Sequence, residues 1–332
     1  MILGRIPVLR RLVVTLLAGT LLLAAGCTSD PGSAASPSQP PADPSSHFPT
    51  TVHTTHGPVT VDRQPQRVVV LEDQLLETSI AVGVHPVGAP APTTPLGPWT
   101  QGRIERAVRT LPMTDGVPVE KVLTLHPDLI VARDYLVDAD TYAQLKKIAP
   151  TLVLGVDGDG SDTPAWETDA RTIGQATGHV TAARRVIGSV RAKIGQARKD
   201  HPAIVGKSFQ LGNLQSASQF VCTNSDRTSS AQFLRALGLK LAKLGGAGAD
   251  NRVVLSKERF ADLDDVDLLI MGSSDAKLAR QLAADPLFRR VGPVRQETLD
   301  QVDLTWVTAF NIPTALSIPA LLHNLTPYLQ RL

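Results

Sequence analysis

Four short polar segments follow apolar runs in this 332-residue sequence, and their side chains are suited to holding a small molecule. The segments are Glu72-Asp73-Gln74, Arg133-Asp134-Tyr135, Gly212-Asn213-Leu214-Gln215 and Gly272-Ser273-Ser274. Carboxylates, amides, hydroxyls and a guanidinium can form hydrogen bonds or charge pairs with a ligand. Ligands of open α/β sheets bind at the carboxyl ends of the strands, where these segments lie if each apolar run is a strand. The pattern predicts a binding surface made by several loops.

The sequence lacks complete motifs for catalysis or metal binding. There is no Gly-x-Ser-x-Gly elbow and no visible nucleophile–base pair. The segment Asp157–Asp162 resembles the start of a calcium loop, but it lacks glycine at the sixth position and glutamate at the twelfth, which is Thr168. The histidines have no metal-ligand spacing. We therefore predict no enzyme activity, no metal site and no cofactor.

The N-terminus has the layout of an export signal. Residues 1–11 carry three arginines and no acid, and residues 12–25 are almost wholly apolar. This run is shorter than the roughly 20 apolar residues that cross a membrane. Leu23-Ala24-Ala25-Gly26-Cys27 resembles a bacterial lipobox, which implies cleavage before Cys27 and lipidation of its thiol. Residues 1–26 are therefore predicted to be a lipoprotein signal peptide.

The segment after Cys27 is rich in Ser, Pro, Ala and Asp as far as residue 50. Such a composition buries little apolar surface, so we predict a disordered, lipid-anchored linker over residues 27–57. The predicted attachment to the membrane is through the lipid alone.

Composition limits the remaining possibilities. Removing the three arginines of the signal from the 33 basic residues leaves 30, against 31 acidic residues, so no basic excess indicates a nucleic-acid partner. Cys222 is the one cysteine besides Cys27, which excludes an intramolecular disulfide framework and a cysteine metal cluster. We interpret Cys222 as a small core residue.

Alternating apolar strands and amphipathic helices predict an α/β fold in two parts. In the first half the pattern predicts strands at Gln66–Leu71, His126–Val131 and Thr151–Leu154, with helices at Leu75–Val84, 118–125 and Thr141–Ile148. In the second half it predicts strands at Lys207–Leu211 and Asp267–Met271, with helices at Ser229–Leu237 and Ile318–Leu325. Between the halves, apolar residues at helical spacing over 180–199 predict one helix about 30 Å long.

The two halves also repeat a local pattern. Glu120 precedes Asp128-Leu129-Ile130-Val131, and Glu258 precedes Asp267-Leu268-Leu269-Ile270 at nearly the same spacing. This repeat predicts two similar lobes, at residues 58–178 and 202–332, joined by a backbone helix at 179–201. The predicted fold class is α/β, with two Rossmann-like lobes, each with a central sheet, joined by one long backbone helix.

The motif PVEKVLTLHPDLIVARDYL, followed by YAQLKKIAPTLV, resembles the iron-siderophore substrate-binding proteins of ABC importers. RVVVLEDQLLETSIAVGVHPVG, from Arg67 to Gly88, is similar to the first strand and helix of that family. The resemblance extends from about Arg67 to the C-terminus. It implies two α/β lobes on one long helix, a ligand held between them, and delivery of that ligand to a membrane permease and its ATPase by a monomer.

The resemblance also implies roles for particular residues. Glu120 and Glu258 match the acids with which this family docks onto permease arginines. The stretches Trp99–Arg106 and Trp306–Asn311 match segments that contribute to the family's cleft. Iron in a siderophore is already coordinated, so the protein needs aromatic walls and hydrogen-bonding or cationic groups rather than metal ligands. The candidate ligand-binding residues are Trp99, Arg103, Arg133, Tyr135, Asn213, Phe220, Arg227, Trp306 and Phe310.

Three alternatives stay open at the level of sequence. Haem and cobalamin are ligands of related transport proteins, although haem normally takes a His, Tyr or Met axial ligand and Tyr135 is the one candidate in the named loops. A surface-anchored hydrolase is a remote alternative from another class. A degenerate family member that binds a protein or a cell-wall fragment is a further one.

Overall fold

The N-terminal lobe has a sheet of five short parallel strands. The computed structural model describes residues 39–44, 46–92, 96–104, 108–216, 218–245 and 251–332. The elements of this lobe are β1 (Thr50–Thr54), β2 (Gly57–Val61), β3 (Val68–Val70), α1 (Asp73–Ala81), β4 (Gly88–Pro90), β5 (Arg109–Leu111), α2 (Val119–Thr124), β6 (Leu129–Arg133), α3 (Ala139–Leu145), β7 (Thr151–Leu154) and α4 (Ala165–Thr177). The strand order is β5-β4-β3-β6-β7. Strands β3, β6 and β7 are buried at every position, as expected for a parallel sheet covered on both faces.

The long helix α5 spans Val180–Asp200, in the segment where apolar spacing predicts it. Helix α4 ends at Gly178, whose φ of 78° reverses the chain so that α5 packs back against α4. The two helices approach closely, because a Cβ added to Gly174 would lie 2.5 Å from the Cβ of Ala183. The buried face of α5 consists of Ala183, Ile187, Val190 and Ile194.

The C-terminal lobe has a six-stranded mixed sheet. Its elements are β8 (Ser208–Ser216), β9 (Gln219–Thr223), α6 (Ser229–Ala236), β10 (Lys240–Leu241), β11 (Arg252–Ser256), β12 (Leu268–Ser273), α7 (Ala276–Ala284), α8 (Gly292–Arg295), β13 (Leu299–Val302), α9 (Leu304–Asn311) and α10 (Ile318–Leu329). The order is β11-β9-β8-β12-β13, with β10 beside the start of β8. β10, β8, β12 and β13 are parallel, whereas β9 and β11 are antiparallel to their neighbours.

The predicted loop at Gly212–Gln215 is wrong, because β8 continues through it to Ser216. The chain turns back after Ser216, and β9 pairs with this extension of β8. Gly212 permits the close pairing, since a Cβ there would lie 2.4 Å from the carbonyl oxygen of Val221. Asn213 therefore lies on a strand rather than on a loop.

Asp128 and Asp267, which occupy equivalent positions in the sequence repeat, have the same structural role in the two lobes. The Asp128 carboxylate accepts hydrogen bonds from the backbone N–H groups of Gln66, at 2.8 Å, and Arg67, at 2.7 Å, just before β3. The Asp267 carboxylate accepts from the backbone N–H of Ser208, at 2.7 Å, at the start of β8. Each aspartate thus fixes the beginning of the strand beside its own, which is why the local pattern recurs.

One apolar core runs through both lobes. It includes β3 and β6 residues of the N-terminal lobe, β8 and β12 residues of the C-terminal lobe, and the inner faces of α4, α5 and α10. A separate core covers the outer face of each sheet. The lobes are therefore packed against a shared scaffold rather than linked by flexible strands alone.

The predicted end of the disordered linker at residue 57 is wrong. The residues that the structure describes between 39 and 57 pack against the folded chain. Val52, Val59 and Val61 are buried on one side of the hairpin β1–β2, and the backbone N–H of Thr55 donates to the carbonyl of Val153 at 3.0 Å. Upstream, the Asp43 carboxylate accepts from the N–H of Thr181 at 2.6 Å. The polar composition of this segment gave no signal for the packing, because Val52 is the one apolar residue of β1 and the other contacts are hydrogen bonds. Cys27 and the signal segment lie outside the described residues.

Within the described residues, no helix combines the length and the apolar character required to cross a membrane.

Candidate functional site

The carboxyl ends of the two central sheets carry most of the polar segments singled out in the sequence. On the N-terminal lobe, Glu72 to Gln74 form the start of α1 directly after β3, and Asp134 and Tyr135 follow β6. On the C-terminal lobe, Asn213 and Ser273 lie near the ends of β8 and β12, and Trp306 lies in the first turn of α9 after β13. We call the region between these two groups of residues the interlobe cleft.

Two tryptophans meet across the lobes. The rings of Trp99 and Trp306 are 5.4 Å apart at an angle of 75°, an edge-to-face contact. Both side chains are half-buried. The sequence predicted each of them for the cleft, and the structure brings the two together at its margin.

Glu77 forms a second link between the lobes. One of its carboxylate oxygens accepts from Trp99 Nε1 at 2.7 Å, and the other accepts from Thr314 Oγ1, on the segment between α9 and α10, at 2.7 Å. Burial raises the pKa of Glu77 to about 7, although the hydrogen bonds from Thr314 and Trp99 lower it. This buried acid therefore connects an N-terminal helix with the C-terminal lobe.

Arg133 does not present its charge to the cleft, which contradicts its predicted role as a ligand contact. Its side chain is 1 % exposed, and its guanidinium forms a two-pronged pair with Asp169, at 3.0 Å and 2.6 Å. Its Nε lies 3.6 Å from the carboxylate of Glu72. Burial opposes the charge on Arg133, but Asp169 and Glu72 outweigh it and raise the pKa of the guanidinium. Residue 133 ends a strand that is buried on both sides, so only a paired cation fits there.

Tyr135 is placed where the sequence predicted an aromatic wall. Its side chain is largely exposed beside the start of α1, and its hydroxyl donates to Glu72 Oε1 at 3.4 Å. Burial of the hydroxyl end and the charge of Glu72 raise the pKa of Tyr135. The ring face is thus available to a ligand while its polar tip is tied to the protein.

Asn213 and Arg227 both lie on the C-terminal lobe, Asn213 on β8 and Arg227 in the turn before α6. Asn213 Oδ1 is buried and has no hydrogen-bond partner in the described part of the chain. Arg227 is exposed in the turn before α6, whose first residue Ser229 donates its backbone N–H to Asp157 of the N-terminal lobe at 2.9 Å. Both residues remain candidates for ligand contact.

Three other predicted ligand contacts lie away from the cleft. Phe220 is 1 % exposed in the core on the outer face of the C-terminal sheet, and Phe310 is 0 % exposed in the core shared by both lobes. Phe220 alternates into the core because the segment is strand β9 rather than a loop. Arg103 is exposed near Ile80 and Val84, towards the C-terminal end of α1 rather than its start.

The two predicted docking acids are exposed on equivalent elements. Glu120 lies in the first turn of α2, and Glu258 lies in the first turn of a 3₁₀ helix at Lys257–Leu263. Hydrogen bonds from its own backbone N–H and from Ser256 lower the pKa of Glu258. Their exposure leaves both carboxylates accessible to a partner.

The structure also contains hollows outside the interlobe cleft. Hollows of about 530 Å³ and 610 Å³ lie outside the cleft, along α4 beside residues 46–55. Their walls mix threonine, histidine, arginine and apolar side chains, and the Thr168 hydroxyl in the first of them is buried without a hydrogen-bond partner in the described part of the chain. Among the described residues, no group of three or more His, Cys, Asp or Glu side chains is arranged to hold a metal ion.

Sequence reasoning missed Glu77 and Thr314. The available signal for Glu77 was its position one helical turn after Asp73, which places the two acids on the same face of α1. Thr314 had no local signal, because its partner is 237 positions away in the chain.

The fold and the cleft define a two-lobed binding protein built around a continuous helix. The chain belongs to the periplasmic binding protein family, whose model matches residues 68–298.

Individual relatives agree with this assignment. The Fe(3+) dicitrate-binding periplasmic protein FecB of Escherichia coli K12 is 26 % identical over 286 residues, which cover 82 % of this chain and 89 % of that protein. The ferric enterobactin-binding periplasmic protein FepB of Escherichia coli CFT073 is 26 % identical over 274 residues, covering 75 % and 82 %. A crystal structure of a periplasmic solute binding protein from Mycobacterium smegmatis is 29 % identical with a TM-score of 0.72, covering 85 % of this chain and 97 % of that one.

Replacing Arg133 with alanine tests its structural role. The substitution leaves Asp169 buried without its cation, so we expect a loss of about 3–5 kcal/mol in the free energy of unfolding. Urea denaturation followed by circular dichroism measures this loss. Arg227→Ala is the matched control, because its exposed side chain should change stability by less than about 0.5 kcal/mol. Equal stability of the two variants would contradict the assignment.

Replacing Glu77 with glutamine tests the buried link between the lobes. The pKa of Glu77 is about 7 in the folded protein, against an ordinary value of 4.5. The folded state therefore binds the proton more tightly, and stability falls as the pH rises between these two values. Glu77→Gln removes this titration while its amide can still pair with Trp99 and Thr314.

We expect the stability of Glu77→Gln relative to wild type to rise by about 2–3 kcal/mol between pH 5 and pH 8. Urea midpoints measured across this range give the difference. Glu120→Gln controls for the loss of one exposed carboxylate. Parallel pH profiles for wild type and Glu77→Gln would disprove the role of Glu77.

Proposed function

We propose that this protein is the substrate-binding component of an ABC importer and that it captures a ferric siderophore between its two lobes. The observation that carries the proposal is the convergence of side chains from both lobes at the carboxyl ends of their sheets. Trp99 of one lobe contacts Trp306 of the other, and Tyr135 and Asn213 lie near the carboxyl ends of β6 and β8. Membership of the periplasmic binding protein family supports it.

The names of the relatives support an iron chelate as the ligand. One relative is named for ferric dicitrate and another for ferric enterobactin, so the iron in both ligands arrives with its own coordinating oxygens. Such a ligand needs a cleft with aromatic and polar walls, which matches the half-buried tryptophans and the exposed face of Tyr135. In this proposal the protein has no resident cofactor and carries out no chemical step.

The shared core limits how far the lobes can move. α5 is one uninterrupted helix, and its buried face belongs to the same core as both sheets. Opening the cleft widely would expose part of this core, at about 25 cal/mol for each Å² of apolar surface. We therefore propose that ligand binding changes the angle between the lobes only slightly.

The N-terminal sequence supports an extracytoplasmic location at the membrane surface. In this proposal the signal segment is removed, Cys27 is lipidated, and the folded chain acts as a monomer on the outer face of the cell membrane. Its partners are a permease and the associated ATPase. Glu120 and Glu258 dock on the permease, one carboxylate from each lobe, so that the permease senses the spacing between them.

Ligand capture is tested with the mature chain carrying Cys27→Ser, which removes only the lipid. We expect ferric siderophores to quench tryptophan emission with dissociation constants of about 1 μM or lower. Trp306→Phe should reduce the quenching because Trp306 lies at the cleft, whereas Trp166 is buried in the core. Quenching by haem alone or by cobalamin alone would overturn the proposed ligand class.

Docking is tested with the double variant Glu120→Ala/Glu258→Ala. We expect siderophore uptake by cells to fall at least about tenfold while the affinity for the ligand stays unchanged, since both acids are outside the cleft. Asp62→Ala/Asp265→Ala is the charge-matched control, because these exposed acids precede β3 and β12 at the opposite ends of the sheets. Equal uptake by the two double variants would refute docking through Glu120 and Glu258.

A further inference from the structure

The exposed side of the long helix α5 concentrates positive charge. Within Val180–Asp200 there are six basic side chains and one acid, although the mature chain has 30 basic and 31 acidic residues. All six basic side chains are exposed. At 3.6 residues per turn, five of them lie within one sector of about 140° of the helix surface. We call these five the basic face: Arg184, Arg185, Arg191, Arg198 and Lys199.

The fold itself accounts for only part of this charge. Arg191 pairs with the buried carboxylate of Glu167, and Arg198 and Lys199 suit the negative end of the helix dipole in the last turn. Arg184 and Arg185 lie in the second turn, and no ion pair within the described ranges involves them. The residues one turn away from them are Val, Thr, Ala, Ile, Gly and Ser, so no acid along the helix neutralises them.

The helix backbone is uncovered between these charged side chains. Gly188 and Gly195 alternate with Arg184, Arg191 and Arg198 along α5, at steps of three or four residues. A Cβ added at either glycine would meet no atom of the described residues within 4 Å, so internal packing does not require glycine there. Glycine also lowers helix propensity. The basic face therefore has low ground between its cations, which a broad, flat partner can approach.

A hollow of about 610 Å³ continues the basic face towards α4. Arg171 of α4 and Arg184 and Arg191 of α5 stand around it, and apolar side chains of α5 lie beneath them. The side chain of Arg171 is 57 % exposed and approaches Glu167 only to 4.0 Å. Three guanidiniums thus share one carboxylate, Glu167. Guanidinium groups bind phosphate oxygens with paired hydrogen bonds, so this recess suits a phosphate group.

The chain enters the folded part of the protein at the start of the same helix. The Asp43 carboxylate accepts from the backbone N–H of Thr181, in the first turn of α5, at 2.6 Å, and the Asp43 N–H donates to the carbonyl of Gly178 at 2.8 Å. Cys27 precedes Asp43 by 16 residues in the sequence. A fully extended chain of this length spans about 55 Å. A lipid on Cys27 therefore keeps α5 within reach of the membrane surface.

We propose that the basic face of α5 binds the anionic phospholipid surface of the membrane to which Cys27 anchors the chain. This inference rests on the membrane location in the proposed function, and it adds an electrostatic contact to the contact through the lipid. Glu120 and Glu258 lie on other elements, so this face is separate from the acids proposed for the permease. The contact orients the anchored protein on the membrane.

The geometry favours a membrane over a soluble polyanion. From Arg184 to Lys199 the basic face extends over about 22 Å, so its side chains contact several lipid headgroups at once. The anchor also holds the membrane at a high local concentration beside α5. Each Lys or Arg at an anionic membrane strengthens binding about fivefold, and the attraction falls off within about 10 Å at 0.1 M salt.

Vesicle binding tests this contact without the lipid anchor. The mature chain with Cys27→Ser is sedimented with vesicles of phosphatidylglycerol and phosphatidylcholine in equal parts, and with vesicles of phosphatidylcholine alone. In about 50 mM salt we expect binding to the anionic vesicles to exceed binding to the neutral ones at least about tenfold. Raising the salt to about 500 mM should remove most of the difference, since the charges are exposed.

The variant Arg184→Gln/Arg185→Gln/Lys199→Gln removes three charges of the basic face and keeps the pair of Arg191 with Glu167. We expect it to bind the anionic vesicles about 100-fold more weakly, at about fivefold for each charge. Circular dichroism verifies that its fold is intact.

The charge-matched control is Lys277→Gln/Arg280→Gln/Arg290→Gln. These three side chains are exposed on α7 and the segment after it, whose apolar residues belong to the core on the outer face of the C-terminal sheet rather than to the core around α5. The control removes the same net charge and should bind the anionic vesicles as wild type does. An equal loss in both variants would reject the basic face in favour of a general effect of net charge.

The other outcomes are equally decisive. Equal binding of wild type to anionic and neutral vesicles, or full binding by the basic-face variant, would overturn the proposal. Soluble polyphosphate at the same phosphate concentration is the arm for a free polyanion; we expect it to bind more weakly than the vesicles, and tighter binding would overturn the membrane as the partner. None of these measurements contains a siderophore, so their failure leaves siderophore capture to be judged by its own titration.

Discussion

The continuous apolar core around α5 is the constraint on which the rest of the structure depends. The buried face of α5 packs against α4 and α10, and these helices cover the inner faces of both sheets. Because the same side chains stabilise both lobes, the lobes cannot separate without exposing core. We therefore expect the cleft to be preformed and the spacing between its two walls to change little.

The buried charged residues near the cleft pair with other protein groups and so stabilise the fold. Arg133 neutralises Asp169 below the surface, and Glu77 receives donors from both lobes. These pairs tie β6 to α4 and α1 to the segment before α10. The rings of Tyr135, Trp99 and Trp306 remain partly accessible at the cleft.

Much of the fold could be predicted because its signals are local. The helical spacing of apolar residues over 180–199 requires a long amphipathic helix whatever surrounds it, and the β-branched runs at Val68 and Leu129 can be stable only as buried strands. The repeat of Glu120–Asp128 and Glu258–Asp267 identified two lobes, since each aspartate fixes a neighbouring strand through its own backbone contacts. The hairpin β1–β2 was missed because its polar residues outnumber the three buried valines.

The candidate site was predictable as a set of segments, but not as a set of contacts. The sequence by itself determined that polar groups follow the strands and that Glu120 and Glu258 occupy equivalent helix starts, because strand and helix periodicity depend on nearby residues alone. Only the tertiary structure decided that Arg133 forms a buried ion pair with Asp169. It also decided that Phe220 and Phe310 are core residues and that Trp99 contacts Trp306. Those outcomes depend on pairing between residues far apart in the chain, and burial then determines whether a charge or a ring is left for a ligand.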